Sequence, residues 1–137
     1  MGLFSNKQKQ KEFQTLLFPG EWGLWLRGVS FRQDELRKAG VGAKRFVLVP
    51  EPSNKADKKA VSVLVITKHG PLLAGYLPKD EFIKEEMFSI GVTLSSKDWL
   101  AAVDGIIENR AGEYVVTLQM PKSATAKHLM DSWRRSV

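Results

Sequence analysis

"EPSNKADKKAVSV" (residues 51–63) is a turn-forming run that passes without a break into alternating aliphatic residues. Asn54 and Asp57 carry short polar side chains that can bond nearby backbone N–H groups and so stabilise a tight connection. On either side lie "KRFVLVP" (44–50) and "KAVSVLVIT" (59–67), both rich in residues that favour a pleated, half-buried surface. The stretch therefore reads as a connector between two strands. It also holds Lys55, Lys58 and Lys59, and free N–H groups in such a turn form a concavity for an anion. Connector and phosphate-holding loop are both open at this level.

Working outward, "WGLWLRGVSF" (22–31) alternates Trp22, Leu24 and Leu26 against Gly23, Trp25 and Arg27, a period of two that predicts a strand. "RQDELRKAGVG" (32–42) predicts a short helical turn closed by Gly40 and Gly42. "KHGP" (68–71) is turn material before a fourth strand, "LLAGYL" (72–77). Pro78 suits a helix start, with Gly91 beyond its end, Phe82, Ile83, Met87 and Ile90 facing a core, and Asp80 and Lys84 paired on the other side. "KDWLAAVDGIIE" (97–108), "NRAG" and "EYVVTLQM" (113–120) predict a hairpin. Two flanking helices complete the reading. One is capped by Ser5, with Phe13, Leu16 and Leu17 as its apolar stripe; the other is capped by Ser123, with Leu129, Met130 and Trp133 inward. The expected fold is α+β: a small six-stranded β-barrel with one helix between strands and helices at both ends. Residues 1–20 form a basic helical arm in this reading, 21–121 the barrel and 122–137 an amphipathic helix.

A chain of 137 residues is long enough for one domain with its own core. It has no Cys, which excludes disulfides, Cys-based zinc sites and thiol catalysis, and fits a reducing cytoplasm. No apolar run is long enough to span a membrane. The net charge is +6, and residues 1–60 hold 12 Lys/Arg against 6 Asp/Glu while the remainder balances at 9 and 9. Positive charge focused in this way is the footprint of a polyanion binder.

Enzyme signatures are missing. His69 falls in a turn and His128 on a helix, with no spacing that builds a triad or a metal site. No phosphate-binding glycine motif is present, so a non-catalytic chain without a cofactor or metal is expected. Binding chemistry is better represented. In "GVSFRQ" (28–33), Phe31 and Arg32 set a ring beside a guanidinium, the combination that stacks a base and neutralises its phosphate. In "GYLPK" (75–79), Tyr76 ends a strand and Lys79 opens a helix, where free N–H groups attract phosphate.

These three patches, in this order, resemble the HIRAN domain. Its pattern is matched by "GVSFRQ", by Glu51, Pro52, Asn54, Asp57, Ala60, Val61 and Val63 at fixed spacing, and by Gly75, Tyr76, Leu77 and Pro78. The resemblance covers about residues 22–120. It implies a barrel related to OB- and SH3-like folds, of a stand-alone bacterial or phage type, binding single-stranded DNA or DNA ends, in the best-understood members a 3′ end. Carried over by position, Phe31 would lie against the terminal base and Arg32 against base or phosphate. Asn54 and Asp57 would meet the end nucleotide and its hydroxyl, Tyr76 and Lys79 the next phosphate, with Lys55 and Lys58 adding charge. The 3′-end readers carry an aromatic where this chain has Ala56, which favours generic strand or end binding. Two other roles stand beside this: a protein-interaction module that docks through its C-terminal helix, or an accessory subunit of a helicase or nuclease.

Overall fold

The computed structural model describes residues 13–137. Seven strands and three helices lie among them: β1 Gln14–Leu17, β2 Trp22–Trp25, α1 Gln33–Ala39, β3 Gly42–Glu51, β4 Ala60–Thr67, β5 Gly70–Tyr76, α2 Phe82–Ser95, β6 Trp99–Arg110, β7 Glu113–Met120 and α3 Ser123–Ser136. The α+β class is as expected. The connector at 51–63 joins β3 to β4, whose residues pair antiparallel from Phe46 opposite Val65 to Glu51 opposite Ala60.

The strands form one sheet in the order β2-β7-β6-β3-β4-β5, antiparallel throughout this path. It is not closed by a ladder. Its two ends meet at a single bridge, where Arg27 and Tyr76 exchange backbone hydrogen bonds of 3.0 and 2.9 Å. Gly75 permits this contact, because a Cβ there would strike the Arg27 carbonyl oxygen.

A seventh strand replaces part of the expected N-terminal helix. β7 covers β6 only from Gly105 to Arg110, so the first half of β6 has a free side. Gln14–Leu17 fill it as a parallel strand opposite Trp99–Ala102. Here sheet pairing overrides a helix-like apolar spacing. Ser5 and the rest of the predicted arm before residue 13 lie outside the described residues.

The period-two patterns set the core. Phe46, Leu48, Val61, Val63, Val65, Ala101, Val103, Ile107, Val116 and Leu118 point inward from the strands and are buried. Leu36 of α1, Ile83, Met87, Ile90 and Leu94 of α2, and Ala126, Met130 and Trp133 of α3 join the same cluster. α3 is thus part of the fold, with its apolar face spent on this core rather than left free for a partner. Ser123 is not its cap: the Ser123 hydroxyl donates to Glu86 at 2.7 Å. Capping comes from Glu21, just before β2, which accepts from the Lys122 N–H at 2.7 Å and the Thr125 hydroxyl at 3.0 Å. These two bonds, the backbone one first, hold the Glu21 carboxyl below its usual range.

α2 departs most from expectation. It begins at Phe82, since Glu81 is extended and Pro78–Glu81 close a turn of their own (Glu81 N–H to Pro78 carbonyl, 3.3 Å). It also runs through Gly91 to Ser95. Gly91 sits mid-helix because α2 crosses β3 there, and a Cβ would lie 2.9 Å from Pro50 Cδ. Phe82, expected in the core, is 77% exposed. Asp80 and Lys84 do not pair: Asp80 meets Arg27 at 3.5 Å, and Lys84 turns inward.

Candidate nucleic-acid interface

The β3–β4 loop is braced from within. The Asn54 carbonyl oxygen accepts from the N–H groups of Ala56 (2.9 Å) and Asp57 (3.0 Å), and its amide donates to Glu51 at 2.9 Å. Asp57 Oδ1 accepts from the Lys59 N–H at 2.9 Å, and the Ala60 N–H donates to the Asp57 carbonyl at 3.0 Å. The connector reading is therefore sound, and it narrows one expectation. The N–H groups of residues 54, 56, 57, 59 and 60 are engaged inside the loop, which reduces the backbone donors it can offer an anion and leaves more of that task to side chains.

The other oxygen of Asp57 faces Lys84 Nζ at 2.8 Å. The Lys84 side chain is 6% exposed and that of Asp57 20%. An ammonium so buried needs its partner, since water no longer solvates it. Asp57 is held below the ordinary carboxylate range, first by Lys84, then by the Lys59 N–H. A second, exposed tie joins Lys59 to Glu85 at 3.9 Å. The loop is thus anchored to α2 at two adjacent helix positions.

Tyr76 comes to the same place from the end of β5. Its hydroxyl lies 3.3 and 3.4 Å from the two Glu51 oxygens. Burial pushes the phenol above its ordinary range, and the Glu51 charge and hydrogen bond add to this, while Arg32 opposes it. Tyr76 is consequently a neutral donor, and the Arg32 guanidinium is close enough to act on it.

Asn54, Ala56, Asp57, Ala60, Tyr76, Leu77 and Lys79 line one pocket of about 300 Å³. A second pocket, of about 320 Å³, is lined by Arg27, Gly28, Tyr76, Leu77, Lys79 and Asp80. Tyr76, Leu77 and Lys79 are common to both, so the cavities are neighbours on either side of one short segment. Gly28 has φ +78°, a left-handed turn that ends the strand-like run and leads into a 3-10 turn, Val29–Phe31. Phe31 stands on that turn 81% exposed. Arg32 follows, loosely paired with Glu35 at 3.4 Å.

Of the residues singled out from the sequence, Asn54, Asp57, Tyr76 and Lys79 converge on one cavity. Phe31 and Arg32 line neither cavity; they follow, on the 3-10 turn and just after it, from Gly28, which lines the neighbouring one. Lys55 and Lys58 are exposed on the loop but do not line either pocket. Lys79 lies in the turn before α2 rather than in its first turn, so it offers an ammonium without a helix N-terminus behind it. The site is not uniformly cationic either, because Glu51, Asp57 and Asp80 share it. His69 and His128 are both exposed and apart from it. No three of His, Cys, Asp or Glu among the described residues are placed to hold a metal ion.

Two residues of the site were missed as site residues. Glu51 belongs to the matched motif yet reads in sequence as a strand-end charge. Lys84 looked like the solvated partner of Asp80. Its signal was positional: Lys84, Met87 and Gly91 recur at helical spacing, which places Lys84 on the buried side. No protein-family model matches this chain, and neither a curated protein nor a solved structure matches it.

Proposed function

We propose that this chain is a non-catalytic DNA-binding module, HIRAN-like in kind, that grips single-stranded DNA or a DNA end across the two neighbouring pockets. One observation carries the reading: four residues chosen from separated motifs, Asn54, Asp57, Tyr76 and Lys79, line a single cavity. The exposed ring of Phe31 and the half-buried ring of Tyr76 offer stacking surfaces, and Lys79, Arg32 and Arg27 offer charge to phosphates. Asp57 and Glu51 are acceptors and repel phosphate, so what enters the pocket against them is a hydroxyl or the amino edge of a base. Lys84 holds the Asp57 carboxylate in place from below, so that this acceptor is fixed for such a group. The same reading takes the curled sheet as a barrel-like relative of OB and SH3 architectures, its edges drawn together by the Arg27–Tyr76 bridge. It places the protein in the cytoplasm, beside a helicase-like or nuclease partner that supplies catalysis. No helix among the described residues is long and apolar enough to cross a membrane.

Fluorescence anisotropy with short labelled oligonucleotides at low salt tests this. Single strands bind, and affinity falls with salt as condensed counterions are released. A 3′ phosphate weakens binding where a strand end enters the pocket, because it brings charge against Asp57 and Glu51. If neither single strands nor duplex ends bind, the proposal fails.

A further inference from the structure

Trp25 ends β2 and is 57% exposed, although its neighbours Leu24 and Leu26 are buried. Alternation along an extended strand therefore puts Gly23, Trp25 and Arg27 on the outer face of the sheet. The Arg110 guanidinium lies over the Trp25 ring, 5.0 Å from its centroid, and is fixed by a 3.0 Å bond to Glu108. Across the sheet the row continues from Trp25 to Thr117 and from Thr117 to Ile106, which is 38% exposed. Gly23, the neighbour of Trp25 on that face, adds no side chain to crowd the ring.

An indole this open contributes little to the core. It is also continuous with the site already described, because Arg27 lines the second pocket. Two residues of extended chain separate Arg27 from Trp25, a span of about 7 Å. Successive nucleotides of one strand can reach both.

We propose that Trp25 and Arg110 form an outer stacking site that takes a base from the same single strand held in the pockets, with Arg27 meeting the phosphate between. This rests on the DNA-binding reading and extends it to a longer footprint. A nucleic acid strand fits better than a protein partner: the surface is one ring under a guanidinium, continuous with a cation-lined cavity. A protein interface would need a broad apolar patch. Stacking on an indole is indifferent to base identity, so the site adds affinity without adding sequence preference.

The test is binding of oligothymidylates of increasing length, from a dinucleotide upward, to the wild type, Trp25→Ala, Trp25→Phe and Arg110→Gln. Wild-type affinity rises with length. Trp25→Ala leaves the dinucleotide unaffected and weakens the longer strands about tenfold, removing the gain. Trp25→Phe keeps most of it, and Arg110→Gln loses part. The outer site is overturned if the wild type shows no gain with length while still binding. It is equally overturned if the gain survives Trp25→Ala, or if that change weakens the dinucleotide as much as the longer strands. A wild type that binds no oligonucleotide overturns the pocket reading and this one together.

Discussion

Lys84 reaches from α2 to within 2.8 Å of the Asp57 carboxylate and so fastens the β3–β4 loop to a helix that begins beyond the next two strands. The loop, one wall of the candidate site, therefore depends on a residue far from it in sequence. Lys84→Met strips Asp57 of its main partner, and Asp57→Asn leaves a buried ammonium alone. Each lowers the melting temperature by several degrees, and the double variant loses less than their sum. A thermal-melt double-mutant cycle measures this coupling.

The same pair sets an acid dependence. The folded carboxyl of Asp57 titrates below its unfolded range, so its stabilising effect is complete above the usual Asp value of about 3.9 and fades as pH falls through the lower folded value. Melting temperatures of wild type and Asp57→Asn should differ by a constant amount near neutrality and converge in strong acid. A gap that widens in acid would contradict the assignment.

At Gly91 two effects oppose each other. Helix propensity alone favours Gly91→Ala by about 1 kcal/mol. The added Cβ would meet Pro50 Cδ at 2.9 Å, and overpacking of that kind costs about 1–3 kcal/mol. Pro50 belongs to a strand and cannot swing aside, so net destabilisation is expected in denaturant unfolding.

Tyr76 separates ring from hydroxyl. Its bonds to Glu51 are long, so Tyr76→Phe changes stability by about 1 kcal/mol or less and leaves oligonucleotide affinity within a few fold. Tyr76→Ala removes the stacking face and weakens binding about tenfold or more. Titration tests the point further: the absorbance change of the Tyr76 phenol, isolated by comparison with Tyr76→Phe, occurs at higher pH than that of a free tyrosine.

Lys79→Ala should weaken single-strand binding and reduce the salt slope by about 0.7, the value for one phosphate contact. Lys55→Ala and Lys58→Ala, outside both pockets, should change affinity less. By contrast, deletion of residues 122–137 does not leave an intact binding domain. It exposes the core around Met130 and Trp133, and Trp133→Ala alone is expected to cost about 3–5 kcal/mol.

Strands were legible where alternation is regular. Val61, Val63 and Val65 point inward as their spacing demands, and the 97–120 hairpin follows from its turn. What escaped was decided by partners distant in sequence. Gln14–Leu17 became a strand because β6 has a vacant side, and Gly91 stayed helical because Pro50 needed the space. Lys84 turned inward because Asp57 was there to receive it. Within the site, Asn54 and Asp57 announced a braced loop through local chemistry alone. The turn that exposes Phe31 rests on a left-handed Gly28, which a strand-like alternation had concealed.

The most direct measurement is an isotope-edited NMR titration of the protein with a short oligothymidylate at low salt. The account predicts shift changes concentrated at Asn54, Ala56, Asp57, Tyr76, Leu77 and Lys79, extending to Gly28 and Phe31. Binding that leaves those amides still and moves the α2–α3 surface instead would contradict it.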